Sequence, residues 1–576
     1  MLDPDRIQVL ALLAIILPVP LYVLLKRTFG VHPLDNLPGP PSASLLAGSF
    51  KEMFGTQNWD FQAEMGSKYG PTSSFRAQFG ERMLYTFDAK AMHHIFVKDA
   101  MSYEQPPGVL HQIGLVFGPG VLATPLGTQH RRQRKMLNPA FSIAHMRDLL
   151  PTFYQVAHRL ENSIANKVRD GPQEIDMLSW MGRTALELIG QSGLGVSFDT
   201  LQDEETAHPL PTALKQLMPV LTRLAFPMMY ILPHVARLGS PGFRRFASRF
   251  ILNQDFKTAQ WLSDSLWKMS IEIFEEKKRA LAMGDEAIKQ QVGSDKDVLS
   301  ILMRENMKAS SEDRLDETEL LGQASESHLL RLVVRLNHDL KIQRRILIFA
   351  ASDTTSSALS RTLILLSSHP EVQSKLREEI QQAFQNGDIS YDELVSLPYL
   401  DAICRETLRL HPPLTHIDRR AKHDTIIPLA VPITGRDGSI ITEVAVPKDT
   451  DIITSVLNSN RNPAIWGDNA LEWKPERWLE PLPSVLIVAV ERPRLISEFF
   501  RMTFSGGQRS CIGFKFSQLE MKVVLAGLIR RLEFSPSGKK IIWENSIVTS
   551  PLVVDSDGHH NGHPKMPIVV SLVEKS

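Results

Sequence analysis

Apolar residues recur at helical spacing along most of the chain. Met146–Lys167, Leu262–Met283, Ser356–Phe384 and Ser517–Leu532 each place an apolar stripe against a polar one, the signature of helices that bury one face. Leu400–Leu410 reads as a further helix that stops before His411-Pro412-Pro413, because a residue ahead of proline is pushed out of the α region. Strand-like runs are few and short, at Ser73–Phe87, Ile426–Val446 and Ile541–Val573. The pattern predicts a mainly α fold with small β-sheets and no internal repeat.

The N-terminus departs from this pattern. Ile7–Leu25 is apolar apart from Gln8, and nineteen residues at helical rise span about 28 Å, close to the thickness of a bilayer core. Pro18 and Pro20 are tolerable in a membrane helix. Lys26 and Arg27 follow at once, while Asp3, Asp5 and Arg6 precede, which orients the remainder towards the cytosol. A cleaved signal peptide would need a basic start and a small-residue cleavage site, so the expectation is a single-pass anchor over 1–27. Asn36-Leu37-Pro38-Gly39-Pro40-Pro41 then reads as part of a stiff proline-rich hinge, 28–43, and 44–576 as one large domain. Within it, Asp285–Glu312 is polar and charged, as in a solvated loop or frayed helix.

Composition narrows the function classes. Lys+Arg and Asp+Glu both total 64, and a balanced chain gives no reason to expect nucleic acid as a partner. Two cysteines in 576 residues make no disulfide framework and suit a reducing compartment. Gly558-His559-His560-Asn561-Gly562-His563 resembles a metal tract, but a Gly-rich turn of this kind reads better as an exposed hairpin tip, and no metal is assigned to it.

The most informative stretch is Phe504-Ser505-Gly506-Gly507-Gln508-Arg509-Ser510-Cys511-Ile512-Gly513. The paired glycines permit a tight turn with positive φ. Arg509 sets a positive charge near Cys511, which favours the thiolate, and the N–H groups of a helix starting just beyond would do the same. Gly513 leaves room for a flat ligand to approach the backbone. Cys404, by contrast, reads as a small buried apolar residue.

This stretch resembles the haem-binding loop of the cytochrome P450 family, F-x-x-G-x-R-x-C-x-G, at every fixed position. The resemblance implies haem b (iron protoporphyrin IX) with Cys511 as the axial thiolate to iron, Phe504 shielding the sulfur and Arg509 pairing with a propionate. Glu406 and Arg409, three apart on one helix face, match the family's E-x-x-R motif, and Arg477 within Trp473-Lys474-Pro475-Glu476-Arg477-Trp478 would complete a structural network. In Phe349-Ala350-Ala351-Ser352-Asp353-Thr354-Thr355, the polar run inside the apolar Ile346–Leu366 pattern either bonds back to carbonyls one turn earlier or matches the family's A-G-x-D-T. In that case Asp353 and Thr354 relay protons to bound dioxygen, and Ala351 replaces the usual glycine. His130 and Arg134 occupy the positions of the family's W-x-x-x-R pair, with histidine for tryptophan. The other basic residues of His130–Lys135 would face an acidic redox partner.

The resemblance covers nearly everything from Pro38 onward and is nearest to microsomal-type fungal enzymes. It implies a monooxygenase that takes electrons from NADPH through a separate NADPH-cytochrome P450 reductase, places one atom of O2 in a lipophilic small molecule, and sits in the endoplasmic reticulum membrane with its catalytic domain in the cytosol. Apolar pocket segments would be Pro106–Pro125, Leu210–Leu238, Leu414–Ile417 and Ile547–Pro551. Secondary metabolism, with a terpenoid substrate, rests on analogy with the family alone. An isomerase or dehydratase of the same family, or a haem protein without turnover, are the competing readings. Two segments depart from the pattern: Ser325–Arg344, which interrupts the approach to the Asp353 helix and reads as a gene-model error, and the apolar Val485–Arg501.

Overall fold

The strand-like run at 73–87 is too long for one small strand and contains a residue able to turn it. In the computed structural model Phe79 and Gly80 take φ of 55° and 71°. Strands Thr72–Arg76 and Arg82–Thr86 then pair antiparallel, with Thr72 opposite Thr86. The structure describes residues 27, 30–44, 46–117, 120–202, 208–231, 248–265, 279, 297–302, 342–481, 502–560 and 562–573. Asp451–Ser455 adds parallel to Arg82–Thr86, and His416–Ala421 and Tyr103–Glu104 complete a five-stranded sheet. A separate hairpin pairs Thr425–Thr434 with Ile440–Val446, with a register shift between Pro428 and Ile433. These elements belong to a compact unit formed by the described residues up to Glu104 and His416–Asn462.

The proline-rich stretch is fastened to this unit. Leu34 and Leu37 are buried, the Ser74 amide donates to the Pro38 carbonyl at 2.9 Å, and Arg82 pairs with Asp35 at 3.0 Å. A Cβ on Gly39 would fall 1.8 Å from the Ser74 carbonyl oxygen, so only glycine fits there.

The second unit comprises the described residues from Gln105 to Thr415 and from Pro463 onward. Its helices are α1 (Pro107–Phe117), α2 (Thr128–Leu137), α3 (Ile143–Lys167), α4 (Met177–Ile189), α5 (Leu210–Arg223), α6 (Ile342–Ser368), α7 (Pro370–Ala383), α8 (Pro398–Leu410) and α9 (Phe514–Arg531). Helix α6 lies along α4, and α3 along α9. The apolar stripes read from the sequence meet in this core, where Phe153 of α3 packs edge-on to Phe516 of α9 at 5.0 Å. Small sheets flank the helices: Pro567–Leu572 between Gln173–Asp176 and Leu532–Pro536, and Lys540–Glu544 with Ser550–Val554.

Several expectations need adjusting. The helix expected over 356–384 is two, because Pro370 has no N–H and His369 before it is pushed to φ −131°, ψ 73°. Of Leu262–Met283, residues 262–265 are helical, within a described helical stretch over 254–265, and 279 is helical; the rest lies outside the described residues. So do the expected membrane segment 7–25, residues 325–341, and Val485–Arg501, while Ile342–Arg344 open α6. Among the described residues no helix is long and apolar enough to cross a membrane. Within the segment expected to be solvated, 297–302 is instead buried: Asp297 and Val298 are fully enclosed, and Asp297 caps the Ser300 amide at 2.9 Å. The His559-His560 segment is exposed, as expected, but it is a turn between strands of two different sheets and no hairpin tip, closed by the Asp555 amide on the His559 carbonyl.

Beneath α8, Glu406 is fully buried and every partner it needs is present. Arg409 Nε and Nη2 each donate to it at 2.8 Å, the Lys474 amide at 3.1 Å, Trp478 Nε1 at 2.9 Å and Arg477 Nε at 3.4 Å. The two arginines also donate to the carbonyls of Trp466, Asn469, Ala470 and Glu472. One carboxylate therefore pins α8 to the 466–478 segment. Removing one member of such a set strands buried charge, so Glu406→Ala is expected to cost about 3–5 kcal/mol in urea unfolding; a loss below about 1 kcal/mol would contradict this account.

Candidate functional site

The Cys511 loop is built by two residues in the left-handed region, Ser505 at φ 58° and Gly507 at φ 65°. They fold the chain back so that the Cys511 amide donates to the Phe504 carbonyl at 2.7 Å. Gly513 then caps α9. Phe504 stands edge-on to Phe514 at 4.7 Å, walling one flank of the loop.

Two arginines tie this loop to neighbouring segments. Arg134 Nη1 of α2 donates to the Ser510 carbonyl at 2.6 Å, and Arg509 Nη2 donates to the Thr124 carbonyl at 2.8 Å. Desolvation pushes Arg134 below its ordinary value; the nearby Cys511 opposes that shift and the Arg509 charge adds to it. His130 lies one turn before Arg134 on α2 and is buried. Arg131 and Lys135 are exposed and Arg132 is half-buried.

The electrostatics of Cys511 differ in one respect from the sequence reading. Its side chain reaches solvent on one side, yet the protein packed around the thiol pushes it above its ordinary value; the Gly513 amide and the Arg134 charge work against that. The charge that favours its thiolate is thus Arg134, from a helix some 376 positions away in sequence, rather than the neighbouring Arg509, whose guanidinium is turned to Thr124.

On α6, Thr354 Oγ1 donates to the Ala350 carbonyl at 2.6 Å, the back-bonded geometry open to any helical threonine. Its oxygen keeps lone pairs for a further donor. Asp353 is buried, with Oδ1 2.6 Å from Lys215 Nζ of α5. Thr355 Oγ1 donates to Ser517 Oγ of α9 at 3.3 Å, and Phe349 stacks on Phe117 of α1 at 4.6 Å. In the sequence Lys215 stands out as one of the few Lys or Arg residues of the apolar segment Leu210–Leu238, a lysine amid Leu214, Leu217 and Met218, but nothing local points to Asp353 as its partner. No group of His, Cys, Asp and Glu that could itself hold a metal ion occurs among the described residues.

Cys404 offers a contrast. It is buried on α8, and burial pushes its thiol up to about 12. It should therefore resist iodoacetamide in the folded protein at pH 8 and react only after unfolding, as read by peptide mass mapping; rapid labelling of native Cys404 would contradict its burial.

Known proteins resemble the chain over most of its length. The family model "Cytochrome P450" matches residues 38–552. The chain is 46% identical over 556 residues to cytochrome P450 monooxygenase 91 of Postia placenta, covering 96% of each chain. It is 44% identical over 530 residues to the ganoderic acid synthetase of Ganoderma lucidum, covering 91% of this chain and 92% of that one. It is 36% identical over 552 residues to a cytochrome P450 monooxygenase of Hericium erinaceus, covering 94% of each. With a family match over most of its length and fungal relatives aligned nearly end to end, the chain belongs to the cytochrome P450 family, as one of its monooxygenases.

Proposed function

We propose that the protein inserts one atom of O2 into a lipophilic terpenoid of secondary metabolism, at a haem b held by Cys511. The observation that carries the reading is the Cys511 loop: a sulfur open to solvent on one side at the start of an 18-residue helix. The residues present fit a flat ligand bearing carboxylates. A Cβ on Gly513 would lie 3.9 Å from the Cys511 sulfur, so glycine keeps that approach clear. Arg134 and Arg509 carry adjacent like charges, which propionates would relieve.

When bound, the haem supplies dioxygen activation and oxygen transfer. Cys511 would hold the haem iron through its thiolate, and Phe504, braced by Phe514, would wall one flank of the sulfur. Arg134, Arg509 and His130 would hold the haem's propionates. Thr354 Oγ1, already donating to Ala350, accepts from a water and holds it, while the Asp353 carboxylate takes up a proton and passes it on. Glu406, Arg409 and Arg477 support the segment that precedes the loop and touch no reactant. The exposed Arg131 and Lys135 suit an acidic reductase that delivers NADPH electrons. The apolar segment 7–25 suits a single-pass anchor in the endoplasmic reticulum membrane, with the catalytic residues in the cytosol.

The substrate class draws on two supports. Buried apolar residues dominate α5, including Leu214, Leu217 and Leu221, and α1 ends on the buried Val116 and Phe117, and a relative covering nearly all of this chain is named for the synthesis of ganoderic acid, a triterpenoid.

The test is turnover of the anchored enzyme with its reductase, NADPH, 18O2 and a panel of terpenoids. A product carrying one labelled oxygen is expected; NADPH-independent rearrangement would overturn the monooxygenase chemistry, and no terpenoid product despite oxygenation of other lipids would overturn the substrate class. Thr354→Ala is expected to lower product formed per NADPH by about tenfold or more, with the extra electrons recovered as peroxide or water. Unchanged coupling would refute its role.

A further inference from the structure

Gln112 sits where an amide is costly. Among the described residues of α1, only Gln112, Val116 and Phe117 are buried. Gln112 and Val116 are one turn apart, so the amide shares the enclosed face of the helix with apolar side chains. That end of α1 meets both neighbouring helices. Phe117 stacks on Phe349 of α6 at 4.6 Å, and Gln112 Nε2 donates to the Leu221 carbonyl of α5 at 3.3 Å. Ser263, on the helical stretch over 254–265, donates to the Val116 carbonyl at 3.4 Å.

The Leu221 carbonyl can only accept, so the NH2 end of the amide faces it and Oε1 is turned away. Oε1 takes no hydrogen bond from the described residues, and the protein around it does not seal it off. A buried acceptor left without a donor costs about 1–3 kcal/mol. The surroundings supply none: Val116, Phe117, Leu217, Leu221 and Phe349 are all apolar and buried. One free acceptor in such a wall is the means by which a pocket tells an alcohol from a hydrocarbon of the same shape.

We propose that Gln112 is a specificity-determining residue: its Oε1 accepts a hydrogen bond from a hydroxyl of the substrate, so the enzyme selects a terpenoid alcohol over the corresponding hydrocarbon. This rests on the terpenoid monooxygenase reading and narrows its substrate class. Phe117 lies five residues beyond Gln112, about 7.5 Å along α1 at 1.5 Å per residue, and it is Phe117 that abuts α6. The bound hydroxyl is therefore set back from α6, and the carbon offered beside Thr354 belongs to another part of the molecule. Gln112 fixes which end of the substrate enters first and takes no part in oxygen transfer.

The test is equilibrium dialysis of haem-loaded wild type, Gln112→Met and Ser263→Ala against a tetracyclic triterpene alcohol, its deoxy hydrocarbon and its O-methyl ether. The wild type should bind the alcohol about tenfold or more tighter than either analogue. In Gln112→Met, similar in size but without the acceptor, the alcohol should weaken until all three ligands bind alike, while the hydrocarbon keeps its affinity. Ser263→Ala loosens α1 and leaves the acceptor, so the preference for the alcohol should survive. Four results overturn the proposal and leave the terpenoid reading standing: equal affinities in the wild type, an ether bound as tightly as the alcohol, a Gln112→Met protein that loses alcohol and hydrocarbon by the same factor, or a preference lost equally in Ser263→Ala. Failure of all three ligands to bind the wild type overturns the substrate class, and the proposal with it. Should Gln112→Met not fold, Gln112→Leu takes its place.

Discussion

One backbone hydrogen bond, from the Cys511 amide to the Phe504 carbonyl at 2.7 Å, decides where the sulfur sits. It closes a loop whose left-handed residues, Ser505 and Gly507, reverse the chain just before α9. Arg134 and Arg509 then lash that loop to α2 and to Thr124 through carbonyl oxygens. In the proposed role the sulfur has to be held in place independently of the group it binds, and main-chain bonds do hold this loop.

The second recurring theme is buried charge that is fully paired. Glu406 with its arginines, Lys215 with Asp353, and Arg183 with Asp199 at 2.7 Å are all enclosed. Pairs of this kind are seldom net stabilisers compared with apolar packing, yet breaking one is costly, which makes them stiff joints between segments distant in sequence. Glu406 joins α8 to 466–478, Arg183 joins α4 to the turn at Asp199, and Lys215 joins α5 to α6. The joints of α8 and α6 border the elements that carry the proposed chemistry, so the same interactions that specify the fold also constrain the site.

What could be read from sequence follows from what is local. The helices at 146–167 and 517–532 were legible because their apolar spacing is intrinsic, and they appear as Ile143–Lys167 and Phe514–Arg531. The break at Pro370 is equally local, but apolar spacing runs straight through the proline and so conceals it. The Cys511 loop was legible because its glycines, arginine and cysteine are contiguous. Lys215 with Asp353, and Arg134 rather than Arg509 as the cation favouring the thiolate, were not legible, since each depends on helices brought together over more than a hundred residues. The strand order of the five-stranded sheet, which brings Asp451–Ser455 beside Arg82–Thr86, is long-range for the same reason.

The most direct test of the whole account is the spectrum of the purified, haem-loaded enzyme after reduction under carbon monoxide. Ligation through the Cys511 sulfur predicts a strongly red-shifted Soret band that disappears in Cys511→Ala. A band at the position typical of nitrogen-ligated haem in the intact wild type, or a red-shifted band that survives Cys511→Ala, would contradict it.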